Sequence, residues 1–131
     1  MKLNRSTGYG LLAVAYIAQN KDQGLILSQD VSKKYNISLE YLLKIMQQLV
    51  RARILQSKRG PRGGFTMARP ATKITMLDVV EAVEGPMINY LNLAEQARGV
   101  KFAAKAEQVY EKAIAQARGI FEKTKLADLL E

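Results

Sequence analysis

The sequence predicts a mainly helical protein with one small β-hairpin, in which a winged helix-turn-helix domain is followed by a long C-terminal dimerisation helix. Two amphipathic helical patterns are separated by only three residues, Asn36 to Ser38, and helices joined this closely form a helix-turn-helix. The segment RGPRGG, residues 59–64, then joins two short stretches with strand character. The longest helical pattern, residues 102–123, follows near the C-terminus.

The first helix is predicted over Thr7–Asn20, where apolar residues recur at helical spacing: Leu11, Leu12, Val14, Ala15 and Ala18. Ser6 or Thr7 is expected to cap it, because a hydroxyl can accept a hydrogen bond from a free amide of the first turn. A second, short helix is predicted over residues 29–35, with Ser28 as its cap. Asn36 is expected to end that helix.

The helix after Ser38 separates its side chains into two faces. One face is apolar, at three- and four-residue spacing: Leu39, Leu42, Leu43, Met46, Leu49 and Val50. The other carries Glu40, Tyr41, Lys44, Gln47, Gln48 and Arg51. Such a helix can pack on its own core and offer hydrogen-bonding groups to base edges and phosphates. For any single residue a solvated helix face is an equally good interpretation, so the prediction depends on the set.

Two strands are predicted on either side of RGPRGG, at residues 54–58 and 65–68. A phosphate-binding loop of the Walker type would need Gly-Lys-Ser/Thr leading into a helix, whereas Gly63 and Gly64 lead into a strand. Pro61 fixes its own φ angle and therefore argues against a simple hinge. We expect a β-hairpin wing in which Arg59 and Arg62 reach phosphates or a narrow minor groove.

A further core helix is predicted over residues 76–85, with Thr75 as its cap and Gly85 at its end. Residues 86–101 are expected to form a short helix and a loop. The long helix that follows has a broader apolar stripe than a small N-terminal domain covers. We interpret it as a dimerisation helix packed on its symmetry mate, an intrachain core helix being the alternative, through Phe102, Ala106, Val109, Tyr110, Ala113, Ile114, Ala117, Ile120 and Phe121.

Cysteine and histidine are both absent from the chain. Their absence excludes disulfides, thiolate and imidazole metal ligands, and nucleophiles of the Ser-His and Cys-His types. An enzyme would have to use paired carboxylates, a lysine or a bound metal, and Asp and Glu together number only 12. We predict a protein that is not an enzyme and that has neither a metal site nor a cofactor.

Positive charge is concentrated in the first half of the chain. Residues 1–70 contain twelve Lys and Arg against three Asp and Glu, whereas residues 71–131 contain eight against nine. This asymmetry predicts a polyanion-binding N-terminal module joined to an electrically ordinary C-terminal one. Together with the helix-turn-helix and wing patterns, we divide the chain into a winged helix-turn-helix DNA-binding domain at residues 1–85 and a linker or effector segment with the dimerisation helix at residues 86–131. A merely solubilising surface is the alternative interpretation of the charge. The longest apolar run has ten residues, where a bilayer span needs about 20, so a cytoplasmic protein without a membrane partner is expected.

Several segments together resemble one family of bacterial regulators. They are MKLNRSTGYGLLAVAYIA at the N-terminus, NISLEYLLKIMQQLVRARIL, the wing SKRGPRGGF, ITMLDVVEAVEGP and TKLADLL. This combination is similar to the winged helix-turn-helix transcriptional regulators of the Rrf2 family, typified by IscR and CymR, over nearly the whole chain. The resemblance implies a homodimer that binds double-stranded DNA at a roughly palindromic operator, and an effector protein or small metabolite that acts near residues 86–105.

The resemblance also implies which residues meet DNA. Family positions on the recognition helix correspond to Ser38, Glu40, Tyr41 and Lys44. With the wing and the neighbouring polar residues, the complete predicted DNA-binding set is Arg5, Ser28, Ser38, Glu40, Tyr41, Lys44, Gln48, Arg51, Arg59, Gly60, Pro61, Arg62 and Gly63. A winged-helix adaptor that binds protein is the alternative function.

The sequence departs from the family pattern in two respects. Leu43 stands where some members have an acidic residue that tunes base preference, so their operators do not transfer to this chain. The stretch after VEGP lacks the three cysteines with which other members hold an iron-sulfur cluster. Because thiolates are the ligands of such clusters, we expect this polypeptide to hold none.

Overall fold

The computed structural model describes residues 3–59 and 64–131, and within these ranges the chain is mainly helical with one two-stranded hairpin. The fold class predicted from the sequence is confirmed. The helices are α1 (Arg5–Gln19), α2 (Ser28–Tyr35), α3 (Leu39–Arg51), α4 (Met76–Glu84), α5 (Leu93–Gln96), α6 (Lys101–Lys123) and α7 (Leu126–Leu129); the strands are β1 (Leu55–Lys58) and β2 (Gly64–Met67).

The core lies where α1, α3 and α4 pack against one another. Its largest side chains are fully buried, among them Ile17, Leu42, Met46, Leu49 and Ile54. Ile45 is buried although it does not belong to the predicted apolar face of α3, whereas Leu43 and Val50 of that face are only partly buried. The difference arises because α3 meets α1 and α4 together, so that its buried face is rotated from the stripe chosen by spacing alone.

The start of α1 differs from the prediction. The helix begins at Arg5, and neither Ser6 nor Thr7 caps it. Asn4 occupies the N-cap position without a side-chain capping bond, and the acceptor is instead the Glu84 carboxylate at the end of α4, which accepts a hydrogen bond from Asn4 N at 2.6 Å. A tertiary acceptor therefore replaces the local one that the sequence suggested.

Of the predictions for the ends of α2 and α4, the one for the start of α2 is wrong and the others are confirmed. Ser28 is the first residue of α2 and does not cap it, because Leu27 occupies the N-cap position. Asn36 ends α2 in the left-handed conformation, with φ of 54°, as expected. Thr75 caps α4 in a complete capping box with Asp78, and Gly85 ends that helix with φ of 90°.

The hairpin is antiparallel, with Leu55 opposite Met67 and Lys58 opposite Gly64. A short bridge extends it: Ile26 and Phe65 exchange two backbone hydrogen bonds of 2.8 Å each. Gly64 packs closely at this junction, because a Cβ atom there would lie 2.8 Å from the Ile26 carbonyl oxygen. The base of the hairpin is thus attached both to α3 and to the segment before α2.

The C-terminal part of the chain packs against α4 and pairs with the residues at its start. The 23-residue helix α6 packs on α4 and α5 and is about 35 Å long at 1.5 Å per residue. After it, Leu126 N donates to Ile74 O at 2.9 Å and Met76 N donates to Thr124 O at 2.8 Å. The domain division at residues 85 and 86 stays a prediction. None of the described helices is both long and apolar enough to cross a membrane.

Gly64→Ala is expected to lower the free energy of unfolding by about 1–3 kcal/mol, since the new methyl group overlaps a backbone carbonyl and the hairpin must shift. Gly8→Ala on α1 is the matched control: its Cβ meets nothing within 4 Å, and alanine favours helix by about 1 kcal/mol. Urea unfolding followed by circular dichroism measures both. Equal midpoints for Gly64→Ala and the wild type would contradict this packing.

Candidate nucleic-acid interface

The polar face of α3 forms an open surface beside the start of α1. Glu40, Lys44, Gln47 and Arg51 are exposed there. An open groove of about 450 Å³ runs along this face and is lined by Ser6, Tyr41, Lys44, Ile45, Gln47, Gln48, Arg51 and Val83. The structure thus brings together the predicted residues Tyr41, Lys44, Gln48 and Arg51, and adds Ser6 and Gln47 beside them.

The polar face of α3 points outward because the opposite, apolar face of the helix is buried in the core. Leu42, Met46 and Leu49 are completely buried, and a helix whose inner stripe is held in a core must present the remaining residues outward. Tyr41 is 43% exposed, and its ring meets that of Tyr9 edge to face at a centroid distance of 5.8 Å. This contact fixes one side of Tyr41 and leaves the rest available.

The turn between α2 and α3 supports the start of the recognition helix. The Ser32 hydroxyl donates to the Ile37 carbonyl, and the Ser38 hydroxyl accepts from Tyr41 N at 3.5 Å. Ser38 and Glu40 are exposed at this end of α3, whereas Ser28 is partly buried in the first turn of α2. The turn therefore presents Ser38 and Glu40 at the first turn of the helix.

The wing is described only at its base. Arg59 directly follows β1 and is exposed. The predicted contacts Gly60, Pro61, Arg62 and Gly63 lie outside the described residues. Arg5 lies apart from the other predicted contacts, because it lines an apolar groove with Leu126 and Leu129 rather than the polar groove along α3.

Arg69, a cation of the basic N-terminal half, makes structural contacts within the protein. The Arg69 side chain donates from Nε to the Arg53 carbonyl at 3.0 Å and from an Nη atom to the Lys73 carbonyl at 3.1 Å. The same guanidinium lies 3.9 Å from the Asp78 carboxylate. Arg69 thus ties the end of α3 to the start of α4, a role that its place in a basic stretch did not indicate.

The predicted dimerisation residues divide between two faces of α6. Phe102, Val109 and Ile120 point outward with 80%, 70% and 65% of their surface exposed, and Ala113 is exposed with them. Ile114 is buried within the same chain, and Tyr110, Ala117 and Phe121 are partly buried. Ala106 is also partly buried. Residues 102, 106, 109 and 113 follow the alternating four- and three-residue spacing of a coiled-coil seam, and residue 120 lies one heptad after 113.

Three features define the class of protein: a helix-turn-helix with an exposed polar second helix, a hairpin directly after it, and a long helix at the C-terminus. Together they are the architecture of a winged helix-turn-helix regulator. Residues 3–131 match the model of the Rrf2 family, described as iron-dependent transcriptional regulators. The chain belongs to this family, as the sequence resemblance indicated, and the family consists of regulators rather than enzymes.

Named relatives agree with this assignment. The HTH-type transcriptional regulator IscR of Cereibacter sphaeroides is 31% identical over 137 residues, which cover 100% of this chain and 88% of that protein. BadM of Rhodopseudomonas palustris, a candidate HTH-type regulator, is 42% identical over 84 residues, which cover 64% of this chain and 53% of BadM. The match therefore spans about half the length of BadM.

Solved structures show the same fold. The oxidised form of CymR from Staphylococcus aureus superposes with a TM-score of 0.79 at 26% identity, covering 100% of this chain and 97% of that one. CymR of B. subtilis, a global cysteine regulator, gives a TM-score of 0.81 at 22% identity over 99% of this chain and 96% of that one, a likeness of fold alone.

The family description names iron, but the side chains of this protein do not fit an iron-sulfur cluster. The chain has no Cys or His, and across residues 3–59 and 64–131 no three acidic side chains converge as metal ligands would. Carboxylates next to segment 86–100 are already engaged: Glu107 accepts from Ala94 N at 2.9 Å and Glu111 accepts from Asn89 Nδ2 at 3.1 Å.

Anaerobic incubation with ferrous iron and sulfide, followed by gel filtration, is expected to leave no bound iron and no charge-transfer absorption, because the chain supplies no thiolate. Iron is measured colorimetrically on the eluted protein. A cysteine-containing member of the family treated in parallel shows that the procedure works. Iron that elutes with the protein in a fixed molar ratio would contradict this expectation.

Proposed function

We propose that this protein is a sequence-specific regulator of transcription that binds double-stranded DNA as a homodimer at a roughly palindromic operator. One observation carries the proposal: the outward face of α3 aligns Tyr41, Lys44, Gln47 and Arg51 along one groove, while the inward face is locked in the core. Arg and Lys recognise guanine and phosphates, and Gln pairs with adenine, in a major groove that admits one helix.

Charge supports DNA rather than protein as the partner. A neutral docking surface would not require twelve cationic residues against three acidic ones in the first 70 positions. In the proposed complex α3 reads bases, the exposed Arg59 at the wing base reaches the flanking phosphates, and the two half-sites lie about one helical turn apart. A filter-binding assay with random duplex DNA separates this function from that of a protein-binding adaptor, which would retain no DNA.

The homodimer is proposed from the outward stripe of α6. Phe102, Val109 and Ile120 together expose more apolar surface than isolated surface residues normally do, and their coiled-coil spacing suits a second helix. A second apolar surface lies on α1 and α7, where a groove of about 550 Å³ is lined by leucines, including Leu12 and Leu129. We propose that a second copy of the chain covers both surfaces.

We further propose that an effector, either a partner protein or a small metabolite, acts on residues 86–105. A cavity of about 170 Å³ lies there between the end of α4 and the middle of α6. Its walls combine apolar groups such as Met87 and Ile114 with the phenols Tyr90 and Tyr110. Thermal-shift screening of metabolites against the whole chain tests this proposal.

Arg51→Ala and Lys44→Ala are expected to weaken binding to a duplex selected from random DNA. If the dimer neutralises about six phosphates, the plot of log K against log salt has a slope of about −5, and each lost phosphate contact reduces it by about one. Fluorescence anisotropy at several salt concentrations measures both quantities. Lys112→Ala, the same charge change on the exposed part of α6, is the control. Affinity equal to the wild type in all three variants would exclude this face.

Val109→Glu is expected to convert the dimer into a monomer at micromolar concentration, because a carboxylate would be buried in an apolar seam. Val109 is 70% exposed in the single chain, so the fold of the protomer should persist. Gln108→Glu places the same charge on an exposed neighbouring position off the stripe. Sedimentation velocity gives the molar masses, and a monomeric wild type would refute the proposed assembly.

A further inference from the structure

The Glu84 carboxylate joins the end of α4 to the start of α1. It accepts hydrogen bonds from Asn4 N at 2.6 Å, from Asn4 Nδ2 at 3.2 Å and from the Thr7 hydroxyl. These partners are 77 to 80 residues away in the chain. Thr7 is 1% exposed and is the one polar side chain among the buried residues of ranges 3–59 and 64–131, so this contact satisfies a hydroxyl that the core encloses.

Local electrostatics alone do not favour glutamate at this position. Residue 84 ends α4, and the carbonyl end of a helix disfavours a negative charge. The first turn of α1 contains no acidic residue and lacks a side-chain cap, so its free amides and partial positive charge have no local partner. The two helix ends compensate each other in part, because the carboxylate at the end of α4 lies at the start of α1 and accepts from one of its amides, Asn4 N.

Glu84 also lies where the effector segment leaves the DNA-binding domain. Gly85 follows with φ of 90°, and Met87 N donates to Glu81 Oε2 at 2.9 Å, which fixes the path of the chain after α4. Leu3 and Glu84 both line the 170 Å³ cavity at the start of this segment. Any shift of the segment therefore acts directly on the residues that hold the start of α1.

The first two turns of α1 lie against α3. Ser6 lines the groove along the polar face of α3, and Tyr9 makes the edge-to-face contact with Tyr41. Helix α1 also packs tightly on α4, because a Cβ at Gly10 would lie 3.1 Å from Val83 Cγ2. A displacement of the first turn would thus be transmitted to the side of Tyr41.

We propose that Glu84 is a positioning residue that couples residues 86–100 to the DNA-reading face, by holding the first turn of α1 against the recognition helix. The inference rests on the proposed function, because DNA binding is its output. Coupling of this kind is reciprocal: DNA bound at α3 changes the segment after Glu84, and a change in that segment alters DNA binding.

Glu84→Gln retains the size and one acceptor of the side chain but removes its charge. Its affinity for a selected duplex is expected to fall about tenfold, with a smaller loss on random duplex, so that sequence discrimination decreases. Thr7→Val should reproduce the loss, and Thr7→Ser, which keeps the hydroxyl, should restore wild-type discrimination. Glu84→Gln combined with Thr7→Val should cost less than the sum of the two single changes, since both disturb the contact between residues 7 and 84.

Thr75→Ala is the matched control, because it removes the cap at the opposite end of α4 and leaves α1 untouched. It should lower stability while preserving discrimination. Amide hydrogen exchange supplies a second readout: DNA should alter protection of residues 86–92 in the wild type and not in Glu84→Gln.

The outcomes separate the two proposals. A wild type that binds no duplex refutes the proposed function and this coupling with it. A wild type that binds DNA while Glu84→Gln retains full discrimination and the same exchange pattern refutes the coupling alone. Loss of discrimination in Thr75→Ala equal to that in Glu84→Gln would also refute it, because general destabilisation would then account for the result.

Discussion

The burial of one face of α3 is the constraint on which the rest of the structure depends. Leu42, Ile45, Met46 and Leu49 are each at most 2% exposed, and burying a side chain of this size contributes about 1.5–3 kcal/mol. A helix cap contributes about 1 kcal/mol. Core burial therefore decides how α3 is rotated about its axis. The residues that remain outside the core form the polar face along which the groove runs. The same contacts pack α1 and α4 against each other and against α3, so the polar face of α3 and the helices that support it form one packed unit.

Polar contacts then set the details that burial leaves free. Arg69 connects the end of α3 to α4 through two backbone carbonyls, the Ile26–Phe65 bridge attaches the hairpin, and Glu84 closes the start of α1. Across residues 3–59 and 64–131 no buried side-chain nitrogen or oxygen lacks a partner, and the Thr7 hydroxyl finds its partner in Glu84. The Ile26–Phe65 bridge and the Glu84 contacts join segments that are far apart in the chain.

The family assignment and the composition together separate fold from chemistry. This chain shares the architecture of regulators described as iron-dependent, yet it contains no thiolate or imidazole with which to bind iron or an iron-sulfur cluster. A fold does not carry a ligand with it, because ligands are bound by particular side chains. In the proposed function, the segment after α4 senses its effector through the phenols and apolar groups that line its cavity.

Local patterns determined the order and type of the elements, the capping box of Thr75, the left-handed end of α2 at Asn36 and the hairpin after α3. These depend on residues a few positions apart, which a single stretch of sequence contains. Only the tertiary structure decided which stripe of α6 is covered, because Ile114 and Val109 are equally apolar and differ only in whether α4 lies beside them. Packing likewise buried Ile45, placed Arg5 away from the groove, and gave α1 a cap from residue 84. These features depend on contacts between segments that are far apart in the chain. The spacing of apolar residues within one helix does not specify which other helices will pack against it.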